Sequence, residues 1–292
     1  MGEQAVCMSF LDHAIEHGLI VEYVVPDGRW HRTPTVDHPR KKNGAYIWDS
    51  VSGAVKNWAT MDGYATYRDG KSERIGQSEW KARQAISRAS EAARQSEAKA
   101  TAATMLNRAV IDIHPYLSTK GFPQERGLVL DGELLIPMRD FGLYKRLNSL
   151  QRISADGQKL FLPGGKAKGS VFLIGPFMAR ERWLVEGYAT GLSVRAALHE
   201  LHRDAQVVVC FSASNLTHVG RLVKPLSIPA FVMADNDKSG AGAKAAKETG
   251  LFWTMPMIEG YDANDWHREY GIRDVVGMIR DLTPRTAALR AG

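Results

Sequence analysis

From residue 182 onward the chain alternates β-prone and helix-prone segments with a regularity that leaves few folds open. RWLVEG (182–187), AQVVVCF (205–211), AFVMAD (230–235) and LFWTMPM (251–257) are short and rich in β-branched or aromatic residues. Between them lie ATGLSVRAALHELH (189–202), residues 215–224 and SGAGAKAAKETG (239–250), and NDWHREYG (264–271) opens a final helical segment. Strands separated by helices of this length cannot pair as hairpins; they pair in parallel, with helices covering the faces. The expectation is an α/β fold with a parallel sheet in the last third of the chain.

In such sheets, groups that handle ligands gather beyond the carboxyl ends of the strands. Three acidic groups fall there. Glu186 closes the first strand and is followed by Gly187; Asp235 and Asp237 close the third; Asp262 and Asp265 follow the last. In extended chain residues i and i+2 point the same way, so Asp235 and Asp237 can face one ion. Carboxylates crowded at one point repel unless a cation neutralises them, and hard oxygen donors suit Mg²⁺ or Mn²⁺ better than zinc. A cation held this way keeps positions open for phosphate oxygens and water. Taken singly, D-x-D after a strand is also a common turn or helix-cap pattern. Three acidic groups, each at a strand end, argue for a site.

The preceding sequence divides into three further pieces. Residues 5–19 read as a short amphipathic helix. Residues 20–72 carry Gly, Pro, Asp and Asn at short intervals around β-prone stretches at 20–25, 45–48 and 64–67, which predicts a small β-rich domain. Residues 77–108 contain no Gly or Pro and are rich in Ala, Glu, Gln, Lys and Arg. They predict one long, mostly solvated helix of roughly 45 Å, suited to a spacer. Strands are expected again at 134–138, 149–153, 159–162 and 171–174. The expected boundaries are 1–74 for the β-rich module, 75–109 for the helical linker, 110–178 for a basic α+β subdomain and 179–284 for the parallel-sheet domain.

LVEGYATGLSVRAAL (184–198), FVMADNDKSGAGAKAA (231–246) and YDANDWHREYG (261–271) resemble the Toprim fold of primases, topoisomerases and some nucleases. EGYATGLS and DANDWHREYG are similar to DNA primases of phages, conjugative plasmids and integrated elements. HPYLSTKG (114–121), LLIPMRD (134–140), LNSLQRISADGQKLFLPGG (147–165) and GSVFLIG (169–175) resemble the basic subdomain ahead of Toprim in those proteins. The resemblance covers residues 20–270 and implies synthesis of short RNA primers on single-stranded DNA from ribonucleoside triphosphates. It implies Glu186 as general acid/base and metal contact, Asp235 and Asp237 as catalytic residues and principal Mg²⁺ (or Mn²⁺) ligands, and Asp265 and Asp262 in the outer part of the metal site. One position departs: cellular bacterial primases carry an Asp four residues after the Glu, and here it is Thr190, which puts a strict two-metal arrangement in doubt. The alternatives are a Toprim nuclease using the same carboxylates, or a non-catalytic nucleic-acid-binding replication accessory protein.

The chain of 292 residues has a net charge of +6, a weak pointer to a polyanionic partner whose weight depends on where the charge sits. Arg139, Lys145, Arg146, Arg152, Lys159, Lys166 and Lys168 face only Asp140 and Asp156 as opposing charges between 139 and 168. A basic run is ordinarily a solvated face; beside a Toprim domain these residues, with Lys238, are candidates for holding nucleic acid and nucleotide phosphates. LPGGKAKGS (162–170) is not a P-loop, because Ser170 follows Gly169 and a strand follows in turn. In the N-terminal module Arg29, Trp30, Arg32, Arg40, Lys41 and Lys42 suit template recognition by stacking and phosphate contact. Trp48 and Trp58 read either as further stacking residues or as the module's core.

Cellular primases carry a zinc ribbon here. With Cys7 and Cys210 as its only cysteines, this chain is expected to use a zinc-free module and to keep both thiols reduced. His13, Glu16 and His17 fit H-x-x-E-H, but a zinc site of that kind needs a third ligand and burial, for which the sequence offers no candidate; a surface helix is the expectation. No apolar run approaches membrane-spanning length. By resemblance the compartment is the bacterial cytoplasm, and any replicative helicase would be a separate chain.

Overall fold

The computed structural model describes residues 9–68, 77–143 and 146–290, with side chains except those of 77–84, 87 and 283–290. The chain forms two compact units, Met1–Ser90 and Glu91–Gly292.

In the first unit, helix α1 (Phe10–Glu16) precedes an antiparallel sheet ordered β1 (Trp30–Thr33), β2 (Gly44–Trp48), β3 (Ser52–Asn57), β4 (Ala65–Arg68). Ser9 and Asp12 form a reciprocal capping box that starts α1, and Gly18, at φ 76°, lets the chain turn away beyond its end. Phe10, Ala14, Leu19, Tyr46 and Val55 are buried together. Phe10 stacks on Trp48 with ring centroids 4.5 Å apart. Gly53 makes room for this: a Cβ there would lie 2.4 Å from Phe10 Cε2. Residues 20–25, expected as a strand, form none. Ile20 is tied instead by backbone to Pro34 and accepts from the Thr33 hydroxyl, so local hydrogen bonds replace a ladder.

Helix α2 spans Gln77–Arg108, as the composition predicts. Its later part is mostly exposed, as expected, but one face packs on the sheet. Ala102 is buried with Leu135, Leu150 and Leu162, and Met105 and Leu106 pack against them. Alanine, too small to make a coiled-coil seam, lets the helix lie close on a sheet.

The second unit is mixed α/β around a ten-stranded mixed sheet. It contains β5 (Val110–Asp112), α3 (Pro115–Thr119), β6 (Gly127–Leu130), β7 (Glu133–Asp140), β8 (Leu147–Ile153), β9 (Lys159–Phe161), β10 (Ser170–Ile174), β11 (Glu181–Val185), α4 (Tyr188–Glu200), β12 (Ala205–Val209), α5 (Ala213–Val223), β13 (Ala230–Met233), α6 (Ala241–Thr249), β14 (Phe252–Thr254), α7 (Ala263–Tyr270) and α8 (Ile272–Arg290). The path runs β14-β13-β11-β12-β10-β7-β6-β5, with β8 and β9 branching from β7. The pairs β14·β13, β13·β11 and β11·β12 are parallel; β10 is antiparallel to both β12 and β7. The basic segment and the parallel segment therefore share one sheet through β10. The final helical segment is two helices, broken at Gly271, where φ is 91°.

Strict alternation sorts the parallel strands. Trp183, Val185, Val207, Val209, Phe231 and Met233 enter the core shared with α4, α7 and α8. Leu184, Val208, Cys210, Val232 and Ala234 enter the one shared with α5 and α6. Both faces are covered, which is why these strands read as continuous apolar runs. Truncating a fully buried residue such as Leu184 to Ala would cost about 2–5 kcal/mol.

Candidate active site

The chain order β11, β12, β13 takes the sheet to one side of β11 and then back to the other. This is a topological switch point, where helix N-termini diverge and open a crevice above the strand ends. Glu186 follows β11 and Asp235 lies just beyond β13, its neighbour. Asp262, at the start of α7, completes a cluster in which Asp235 feels Asp262, Glu186 and Asp237.

Asp235 is the most perturbed of these. Burial, then the charges of Asp262 and Glu186, push its carboxyl up to about 8, against the pull of Lys159. Its Oδ1 is buried without a hydrogen-bond partner among the described residues. Glu186 is pushed up by burial first and by Asp237 next, with Lys159 opposing.

Asp237 behaves differently. Its Oδ1 accepts from the amides of Ser239 (2.9 Å) and Ala241 (3.2 Å) and from the Ser239 hydroxyl, and its Oδ2 accepts from the Gly242 amide at 2.7 Å. Burial works against its charge, but these bonds outweigh it and hold the carboxyl below the ordinary range. Asp237 thus builds the turn into α6, and Gly242 must be glycine because a Cβ would lie 2.1 Å from the Asp235 carbonyl oxygen.

Asp262 caps α7, its Oδ1 accepting from Asn264 and Asp265 amides at 2.7 and 2.8 Å. Asp265 closes the capping box, sits 3.8 Å from Lys120 Nζ and adds its charge at Tyr116. Asn264 fixes α7 by donating to the Lys120 carbonyl (2.8 Å) and the Ser193 hydroxyl (3.1 Å).

The donor set is all carboxylate oxygen, with one buried oxygen unsatisfied. That chemistry fits a hard divalent cation. Among the described residues no three of these carboxylates bring one oxygen each within 4.8 Å of one another. Thr190, at the departing position, is fully buried with its hydroxyl unpartnered among the described residues and supplies no charge.

The basic residues divide by surroundings. Lys159, exposed on β9, acts on both Glu186 and Asp235 and lies 5.9 Å from the Tyr116 ring centroid. Contact between Phe161 and Phe211, 6.2 Å apart, brings β9 to the end of β12. Arg152 pairs with Glu133 at 3.4 Å and Lys166 with Asp140 at 3.3 Å, so both are partly neutralised. Arg139 is half-buried on β7; Arg146, Lys168 and Lys238 are exposed; Lys145 lies outside the described residues. The sequence reading misses His218 and Arg221 of α5. Burial first, then Lys168, Lys166 and Arg221, hold His218 below its ordinary range, which marks a basic cluster of these four.

In the first unit Arg29, Arg32, Arg40, Lys41 and Lys42 are all exposed. Trp30 is 48% exposed and Trp58 46% exposed. Trp58 is no core residue: Arg32 lies over its ring at 4.1 Å, and Trp30 meets Tyr64 at 5.4 Å. Trp48, against Phe10, belongs to the core.

Scanned against known protein families, the chain matches none. Among solved structures it is similar to the primase fragment of the bacteriophage T7 primase-helicase protein, with 18% identity and a TM-score of 0.40 over 52% of this chain and 65% of that chain. A second match, with 17% identity and a TM-score of 0.40, covers 56% of this chain and 83% of a chain in the bacteriophage T7 lagging-strand DNA polymerase structure with primase domains bound to an RNA/DNA hybrid and dTTP. A third is a DNA primase domain from Pseudomonas aeruginosa, with 17% identity and a TM-score of 0.31 over 56% of this chain and 53% of that chain.

Proposed function

We propose that the chain is a DNA primase of the Toprim type, making short RNA primers on single-stranded DNA by Mg²⁺-dependent nucleotidyl transfer. The observation that carries this reading is the buried Asp235, whose Oδ1 has no hydrogen-bond partner among the described residues and which feels the charges of Asp262, Glu186, Asp237 and Lys159. Such a cluster is costly to maintain without a cation and suits phosphate chemistry with one. The motifs around Glu186 and Asp235, and the basic strands sharing their sheet, direct that chemistry towards primer synthesis.

In this reading a primer 3′-hydroxyl attacks the α-phosphorus of a ribonucleoside triphosphate. A new O–P bond forms, the bond from the α-phosphorus to the β-bridging oxygen breaks, and pyrophosphate leaves. Glu186, whose carboxyl burial and the charge of Asp237 hold above its ordinary range, accepts the hydroxyl proton. Asp235, with Glu186 and Asp237, would hold a divalent cation that neutralises charge on the triphosphate. Lys159 and Lys238 meet phosphate oxygens. Lys168, His218 and Arg221 offer a path for the template backbone, and the Trp30–Trp58 face of the first unit offers bases a stacking surface.

The test is incorporation of labelled ribonucleotides on mixed-sequence single-stranded DNA with Mg²⁺. Glu186→Gln is expected to abolish product while leaving the protein folded, with a melting temperature no lower than that of wild type. Incorporation that survives in this variant would overturn the assignment, and metal-dependent cutting of the DNA without incorporation would replace it with a nuclease.

A further inference from the structure

We infer a second metal site, outside the acidic crevice, at His13, Glu16 and His17 in the first unit. It takes a borderline divalent ion of the zinc class. This reverses the expectation of a zinc-free module, and it stands independently of the primase reading.

The three side chains each bring one ligand atom to within 4.8 Å of the others. Among the described residues they are the group of His, Cys, Asp or Glu that converges this closely. The spacing explains it: positions i, i+3 and i+4 lie on one face of a helical turn. Tetrahedral coordination with bonds near 2.1 Å needs donor atoms about 3.4 Å apart. The residual closure falls to Glu16, which is exposed and carries rotatable bonds.

Two further observations point to a ligand. His13 is only 7% exposed, yet its Nε2 has no hydrogen-bond partner among the described residues. A buried ring nitrogen left so is rare in folded proteins. His17 lies 2.8 Å from the His13 carbonyl through Nδ1. A carbonyl only accepts, so Nδ1 carries the proton and the lone pair of the neutral ring resides on Nε2. This is the arrangement in which a backbone carbonyl fixes the tautomer of a metal-binding histidine. The two rings lie 4.4 Å apart between centroids.

Two imidazoles and one carboxylate favour zinc-class ions over Mg²⁺. Three protein donors leave a fourth tetrahedral position to water. The ion would brace the C-terminal turn of α1, whose His13 ring packs 5.4 Å from Tyr67 of β4.

The test uses the full chain, stripped with chelator and dialysed against ZnCl₂ in excess Mg²⁺ so that the carboxylate crevice is occupied. Metal content is read by mass spectrometry and ligand type by the visible spectrum of the Co²⁺ form. The wild type and Asp235→Asn are each expected to retain one zinc ion. His17→Gln, at a half-buried position, is expected to bind more than about 100-fold more weakly, and Glu16→Gln, which is exposed and cannot disturb packing, about tenfold or more. Zinc well below one per chain in the wild type, or equal retention in both His17→Gln and Glu16→Gln, would overturn the site. Zinc lost in Asp235→Asn but kept in His17→Gln would move it to the acidic crevice.

Discussion

Replacing Asp235 by Asn should stabilise the cation-free protein, an unusual sign for a change at a buried polar position. In the folded chain burial, Asp262 and Glu186 raise this carboxyl from 3.8 to about 8. At pH 7 it is therefore protonated when folded and ionised when unfolded. The penalty over roughly three pH units approaches about 4 kcal/mol at 1.36 kcal/mol per unit. Allowing that the new amide must itself be satisfied in the crevice, a net gain of about 2 kcal/mol remains, or roughly 4–8 °C in melting temperature for a unit of this size. The sign follows from proton binding. Below pH 4 both states hold the proton and the residue contributes nothing. Between about 4 and 8 only the folded state holds it, so stability falls as pH rises. Above 8 both are ionised and the full penalty remains. Thermal unfolding in EDTA across pH 4–9 should show Asp235→Asn melting below wild type at the acid end, where only the amide cost acts, crossing it between about pH 5 and 6 and rising steadily above it to pH 8. Adding Mg²⁺ should close the gap from the wild-type side. A variant that melts below wild type at pH 8, or by a pH-independent margin, would refute the buried-charge argument.

Asp237, two residues away, should respond with the opposite sign. Asn there keeps one acceptor but loses an oxygen from the turn into α6, so chemical denaturation should show about 1–2 kcal/mol lost. Lys159→Met should raise the KM for ribonucleotides about tenfold, near 1.4 kcal/mol of charge attraction, while leaving the protein folded because the residue is exposed. Trp58→Ala should weaken single-stranded DNA binding by about 1–3 kcal/mol in fluorescence anisotropy without unfolding the first unit, whereas Trp48→Ala, which removes the stack on Phe10, should unfold it.

What is legible in the sequence is what is local. Apolar runs of strand length place β11 to β13, and the rule that ligand groups gather at strand ends selects Glu186 and Asp235 without any geometry. Asp237 is expected from its spacing to be a metal ligand; its hydrogen bonds to the Ala241 and Gly242 amides, which hold the turn into α6, are not legible from spacing. Lys159 is one of several similar cations in the sequence, and only the turn of β9 towards Phe211 sets it beside the carboxylates. The same long-range folding neutralises Arg152 and Lys166 through Glu133 and Asp140, partners that a charge count treats as background. β5 and β6 escape notice because VID and GLVL are too short to show a period. Trp58 is ambiguous because tryptophan serves cores and surfaces alike. The His13–Glu16–His17 motif is visible as a pattern, but the burial of His13 and the convergence of three donors need coordinates.

The central claim, template-directed nucleotidyl transfer, is tested most directly by omission. The protein is incubated with Mg²⁺, single-stranded DNA of known mixed sequence and labelled ribonucleotides, and each ribonucleotide is withheld in turn. RNA products are expected to stop one position before the template first calls for the missing nucleotide. Products whose lengths ignore the omission, or labelled fragments of the DNA itself, would contradict it.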